Sequence, residues 1–95
     1  MSIQANVTTQ GATTFAQCGQ ANQTLFRLSA GIPVSDALEY ASDLLRCASR
    51  MTLLATHGDS TEQCAMAAHY LSEMGKAVID DVTTALLRME ASHDQ

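Results

Sequence analysis

The feature that most limits how this chain folds is one short break between two long stretches with apolar residues at steps of three and four. The break is His57-Gly58-Asp59-Ser60. Gly58 suits the left-handed end of a helix, and Ser60 followed by Gln63 is a capping-box pattern. Because the apolar spacing predicts a helix on each side and the link is only a few residues, the sequence predicts an antiparallel helical hairpin.

The only proline, Pro33, sets the start of the first helix. Proline disfavours helical geometry in the residue before it and cannot lie deep inside a helix. We therefore predict a first helix over about residues 36–56, with Ser35 as its N-cap. The second helix is predicted over about residues 61–90.

The segments outside the helices differ in composition. Residues 1–24 are rich in Gln, Thr, Asn, Ala, Ser and Gly and carry no charge. They are predicted to be a flexible tail, the alternative being an arm that orders on contact with a partner. Residues 25–90 are predicted to form the hairpin domain, and residues 91–95 a C-terminal tail. Within the domain, a short extended segment at 25–34 is expected to fold across the overhanging end of the longer second helix, over Val82, Leu86 and Met89.

The second helix carries apolar residues over a wider arc than one neighbouring helix can cover. Self-association covers such a surface most simply, so we expect an all-α homodimer in the form of a four-helix bundle, although a larger partner protein would serve equally. Gly75 costs about 1 kcal/mol relative to alanine inside a helix, which suggests the close approach of another helix, such as a dimer crossing. The expected interface residues are Leu71, Gly75, Val78, Val82, Leu86 and Met89.

Charge and apolar patterning exclude several classes of function. Ten acidic against five basic residues give a net charge of −5, which argues against direct binding to nucleic acid. The apolar runs are too short for a transmembrane span or a secretory signal peptide. Cys18, Cys47 and Cys64 fit no zinc or disulfide framework, so we expect reduced thiols in the cytoplasm.

No catalytic, cofactor or metal site is predicted. Cys64 and His69 lie about 140° apart around a helix, so they do not converge on one ion. Cys47 and Cys64 should lie at different heights in the hairpin. Three residues at the break resemble a catalytic trio but are better explained as a solvated capping loop: His57, Asp59 and Ser60.

The carboxylates fall into two groups. Asp80 and Asp81 are adjacent, so their side chains diverge by about 100°, and we expect one to face solvent and the other the edge of the hairpin. Asp36, Glu39 and Asp43 form an acidic stripe, which is usually solvated but could dock a basic partner.

The sequence block LFRLSAGIPVSDALE at residues 25–39, continued by ASDLLRCA at 41–48, resembles a family of short bacterial proteins best known from pseudomonads. The similarity extends through residues 67–74 and 76–82. The family is known only as a domain of unknown function. The resemblance therefore implies a bacterial, cytoplasmic accessory protein, and it implies no activity or ligand.

Three hypotheses for function follow. The leading one is a protein-interaction or regulatory module that homodimerises and presents its acidic faces to a protein partner. The alternative is a nucleic-acid-linked regulator, such as a transcription factor or an antitoxin, which would depend on Arg27, Arg46 and Arg50. A thiol-dependent enzyme is the third and is not favoured, because no base is placed beside any cysteine.

Overall fold

Two helices packed against each other form most of the molecule, and a two-stranded antiparallel sheet precedes them. The structure, a computed structural model, describes residues 7–58 and 60–93. The strands are β1 (Thr14–Cys18) and β2 (Gln23–Arg27), and the helices are α1 (Val34–Ala55) and α2 (Thr61–His93). The predicted helical hairpin is thus confirmed. The prediction of an all-α fold did not include the two-stranded sheet.

The helix bounds differ from the prediction at the start of α1 and at the end of α2. Pro33, and not Ser35, is the N-cap residue, and it makes no side-chain capping hydrogen bond. The amide of Val34 instead donates to the carbonyl of Val7 at 3.1 Å. The start of α1 is thus held by a backbone carbonyl far away in the sequence and not by a capping side chain. At its other end, α2 runs to His93, three residues past the predicted end.

The sheet is a hairpin in which Thr14 pairs with Arg27 and Cys18 with Gln23. Its turn contains Gly19 with φ +73° and Asn22 with φ +57°, a left-handed geometry that these two residue types adopt most readily. The rings of Phe15 and Phe26 stack across the two strands, with centroids 5.4 Å apart.

Residues 7–13, here called the N-terminal arm, lie beside the segment that leads into α1. Thr9 anchors the contact: its amide donates to the Ile32 carbonyl at 2.8 Å, and its hydroxyl donates to the Ser29 carbonyl at 2.6 Å. Residues 7–24 therefore belong to the fold, which corrects the placement of a flexible tail over 1–24. Residues 1–6 and 94–95 of the two predicted tails lie outside the described part.

The helices meet through small side chains. Gly75 lies against α1 of the same chain, where a Cβ atom would come within 3.0 Å of Leu45 Cδ2. The glycine does mark the close approach of a helix, but the contact lies within one chain. Most of the buried apolar residues are alanines, and the others are valines. The full set is Val7, Val34, Ala37, Ala41, Ala48, Ala68, Ala77, Val82 and Ala85.

Candidate interaction surface

A buried carboxylate holds the N-terminal arm against α2. The side chain of Asp81 is 0% exposed. Its Oδ2 accepts hydrogen bonds from the amides of Gln10 at 2.6 Å and Gly11 at 3.3 Å. Its Oδ1 accepts from the amides of Ala12 at 3.1 Å and Thr13 at 3.0 Å. Four consecutive amides thus surround one carboxylate, an arrangement that replaces the lost hydration of the charge.

The hydrogen bonds also set the charge state of Asp81. Burial alone would raise the pKa of this carboxyl, since it disfavours the ionised form. Hydrogen bonds from the amide and hydroxyl of Thr13, and from the amides of Gln10 and Gly11, outweigh burial and leave the pKa below its usual value. Asp81 is therefore ionised at neutral pH, and its oxygens are already engaged within the chain.

Gly11 permits this geometry. Its φ of +75° lies in the left-handed region, and a Cβ atom there would come within 2.7 Å of the Ala30 Cβ. Both the backbone conformation and the contact exclude a side chain at this position. The arm can therefore wrap around Asp81 only with glycine at position 11.

Two further contacts hold the sheet and the arm. Ala16 has φ +64°, an uncommon value for alanine, and its amide donates to Glu73 Oε2 at 2.9 Å. Arg88 donates to Gln10 Oε1 at 2.8 Å. Contacts from several turns of α2 thus fix the N-terminal segment.

Beyond the arm, α1 carries large apolar side chains at steps of four and three on the side next to its contact with α2. They are Tyr40, Leu44, Cys47, Met51 and Leu54. At about 100° per residue these lie on one side of Ala41 and Ala48, which face α2, at angles of roughly 40° for Leu44 to 140° for Leu54. Tyr40 is 67% exposed and Leu54 is 50% exposed. The alanines of α1 are therefore buried, whereas its larger residues lie at the surface.

Half-buried residues of α2 continue this surface: Ala67, Leu71 and Met74. Val78 lies within about 40° of Leu71 and Met74 around α2. It lines a groove of about 280 Å³ together with Tyr40 of α1, Leu28 and Ile32, so the two sets of residues lie on one side of the hairpin. We call this surface the open face, formed by Tyr40, Leu44, Cys47, Met51, Leu54, Ala67, Leu71 and Met74.

The predicted interface residues lie mostly elsewhere. Val82 is buried in a core cluster with Val7, Val34, Ala37 and Ala85. Val78 and Leu86 pack against that cluster, and Gly75 meets α1. Met89 is 37% exposed and lines a shallow site beside the arm. Leu71 is the one predicted residue that lies on the open face.

The segment that covers the end of α2 is not the one predicted from the sequence. The arm takes this place, with Val7 packed beside Val82 and Ala85. Leu25 and Phe26, which were expected there, are exposed on β2. The arm, and not residues 25–26, occupies this position because the Asp81 carboxylate binds the amides of the arm.

The remaining candidate residues are dispersed. Cys18 lies on β1, Cys47 on α1 and Cys64 on α2. Within the described residues, no three His, Cys, Asp or Glu side chains are placed to hold a metal ion. Asp80 faces solvent and accepts from Lys76 Nζ at 2.7 Å, so the two adjacent aspartates diverge as predicted.

The charged residues of α1 lie on its solvent side. Asp36, Glu39 and Asp43 are exposed, as are Arg46 and Arg50. Arg46 forms an ion pair with Asp43 at 2.7 Å. Arg27 lies on β2, so the three arginines of the nucleic-acid hypothesis are divided between two elements.

None of the described helices has the length and hydropathy needed to span a bilayer. Neither a curated protein nor a solved structure matches the chain significantly. A family model does match residues 9–85, which includes the arm from Thr9 onward, both strands and most of α2. The match covers the residues on which the resemblance was noted and also residues 9–24. On this match the chain belongs to the family described as Protein of unknown function (DUF3077).

Proposed function

We propose that this chain is a small protein-interaction module that self-associates through its open face. One observation carries the proposal: among the described residues, the buried apolar side chains are alanines and valines, whereas the leucines, methionines and tyrosines are half-buried or exposed. The largest fully buried side chains are Val34 and Asp81, while Tyr40, Leu54 and Tyr70 are at least half exposed. A continuous apolar surface of this kind is typical of a binding site.

A second copy is the occupant that we propose for the open face. Most soluble oligomers are symmetric, and two helical hairpins that stack face to face form a four-helix bundle. Leu44, Met51, Leu71 and Met74 are half-buried in the single chain, so a second copy would complete their burial. We retain the homodimer predicted from the sequence but propose the open face as its interface, since Gly75 and Val82 of the predicted interface are buried within the single chain.

A binding role is proposed in preference to catalysis. The three thiols lie on three different elements. Asp81, the most buried ionisable group among the described residues, has both oxygens occupied by backbone amides. The acidic stripe Asp36, Glu39 and Asp43 would remain on the outside of the bundle or at its rim, available to a basic protein partner. The similarity to short pseudomonad proteins and the three thiols support a bacterial, cytoplasmic setting.

Absolute molar mass by light scattering, in reducing buffer and at several concentrations, tests this proposal. We expect twice the chain mass of 10.1 kDa for the wild type. Met51→Ser and Leu71→Ser should shift the mass towards the monomer. Ile79→Ser is the matched control, since Ile79 is similarly apolar and 38% exposed but lies about 140° around α2 from Met74.

Circular dichroism establishes that each variant remains helical. A folded wild type with a monomer mass at every concentration would refute self-association. A dimer that resists both Met51→Ser and Leu71→Ser but dissociates with Ile79→Ser would place the interface on the other side of the hairpin.

A further inference from the structure

We propose that the two copies dock with α1 antiparallel to α1 of the second copy, about a twofold axis at the level of Cys47. Leu54 of each copy then enters the groove formed by Leu28, Ile32, Tyr40 and Val78 of the other copy. This inference depends on the proposed self-association and specifies how the two copies are oriented.

The position of the N-terminal arm selects the direction of the twofold axis. The arm and residues 28–32 lie over the end of the hairpin that holds Asp81, and the sheet contacts α2 as far towards the turn as Glu73. An axis parallel to the helices would bring the two covered ends together, where they would collide. An axis perpendicular to the helices places the covered ends at opposite ends of the dimer, so that the covered end of each copy lies beside the uncovered turn end of the other.

The spacing of the apolar residues on α1 fits that axis. Cys47 is seven residues from Tyr40 and seven from Leu54. A rise of 1.5 Å per residue separates Tyr40 from Leu54 by about 21 Å, with Cys47 midway. A twofold axis at Cys47 therefore brings Leu54 of one copy opposite Tyr40 of the other, and Leu44 close to Met51.

The groove suits a leucine side chain. Its lining is mainly apolar, from Leu28, Ile32, Ala37, Tyr40 and Val78. Ile32 is 41% exposed in the single chain, so the groove is not closed by the chain itself. Leu54, at the other end of the same stripe, is the exposed side chain that the symmetry brings there.

The charges along α1 favour the antiparallel arrangement. The first half of the helix carries Asp36, Glu39 and Asp43, and the second half carries Arg46 and Arg50. Antiparallel packing places the acidic half of one copy beside the basic half of the other, whereas parallel packing would oppose like charges. With the axis at Cys47, Asp43 lies within about one residue of the level of Arg50 of the second copy.

A charge-exchange cycle on the full chain tests the orientation. Asp43→Arg and Arg50→Glu should each raise the dissociation constant of the dimer about three- to tenfold. Each change brings like charges of the two copies together in two symmetric places. The double variant should recover most of the loss. Seven residues separate the two positions by about 10 Å within one helix, so direct coupling between them within one chain should be weak. Arg46, which pairs with Asp43 of the same chain, is unchanged in all three variants.

Crosslinking provides an independent test. The double variant Cys18→Ser/Cys64→Ser keeps Cys47 as its one cysteine. A short bismaleimide should crosslink two copies of this variant through Cys47. The control adds Cys47→Ser and Ser49→Cys, which moves the thiol to an exposed position about 160° around the same helix. The control should crosslink much less.

The outcomes separate the two proposals. A monomer mass would refute self-association itself. A dimer mass combined with simple additivity of the two charge changes, or with equal crosslinking at positions 47 and 49, would overturn the orientation and leave self-association standing.

Discussion

The two ends of the hairpin differ in what covers them. At the end that holds Asp81, the N-terminal arm supplies Val7 to a core that also contains Val34 and Val82. Near the turn, the buried apolar residues are small, namely Ala48 and Ala68. Large side chains at this end, including Leu53, Leu54, Met66 and Tyr70, are about half exposed or more.

This difference shows what a two-helix hairpin needs in order to bury its apolar surface. Each helix is apolar over more than the strip that faces its neighbour, so a third layer is needed. The arm is that layer at one end, and Asp81 holds it by four hydrogen bonds. At the turn end we propose that a second copy is the third layer.

Loss of the Asp81 charge should have the largest effect. Asp81→Asn places an amide donor among four amide donors, so we expect it to lower the free energy of unfolding by about 3 kcal/mol. Urea unfolding followed by circular dichroism measures this. Asp80→Asn is the control: it is adjacent, loses only an exposed ion pair with Lys76, and should cost less than about 0.5 kcal/mol. Equal effects of the two substitutions would contradict the role given to Asp81.

A side chain at Gly11 should disrupt the same end by about 2 kcal/mol. Gly11→Ala combines a left-handed backbone with a contact of 2.7 Å to Ala30 Cβ. Gly19→Ala shares the positive φ but has nothing within 4 Å of the new Cβ, so it should cost only about 1 kcal/mol. The difference in unfolding free energy between the Gly11→Ala and Gly19→Ala variants measures the contribution of packing between the arm and Ala30. No difference would mean that the arm is not packed at Gly11.

Acid should loosen the end of the hairpin that holds Asp81 before the rest of the molecule. The pKa of Asp81 is lowered in the folded chain, so its contribution to stability is complete above the unfolded value of about 4. That contribution is lost as pH falls from about 4 through the folded pKa. Unfolding measured between pH 7 and pH 2 should show this loss in the wild type but not in Asp81→Asn. The same pH dependence in both proteins would assign the titration to other carboxylates.

Truncation at the turn end should affect the single chain least. Leu54→Ser removes a side chain that is 50% exposed, so the intrinsic stability of the monomer should change by less than about 0.5 kcal/mol. Association should nevertheless weaken, as sedimentation at several concentrations would show. A large loss of monomer stability would mean that Leu54 packs within its own chain.

The sequence predicts the helical hairpin because its signals are local. Gly58 breaks the chain, and apolar residues recur at helical spacing on both sides. The arm and the sheet were missed because Val7 and Phe15 are isolated apolar residues in a polar stretch, and their order depends on Asp81 and Glu73, far along the chain. A signal was present, since Asp81 lies four residues from both Ala77 and Ala85. A charge within a row of buried alanines indicates a buried partner.

The interface was harder to predict for a similar reason. Gly75 correctly indicated a close helix, but the spacing of apolar residues does not say whether that helix belongs to the same chain. In α1, alanines and leucines both recur at helical spacing, and only the structure shows that the alanines face α2. Close approach of the helices favours the small side chains there, which displaces the large ones to the open face.

Amide hydrogen exchange at residues 10–13 tests most directly the central claim that Asp81 makes the N-terminal arm part of the fold. The amides of Gln10, Gly11, Ala12 and Thr13 all donate to that carboxylate. They should exchange slowly in the wild type, at rates comparable with those of the core of α2, and rapidly in a folded Asp81→Asn variant. Rapid exchange of these four amides in the wild type, with α1 and α2 protected, would mean that the arm is a flexible tail and would contradict the account.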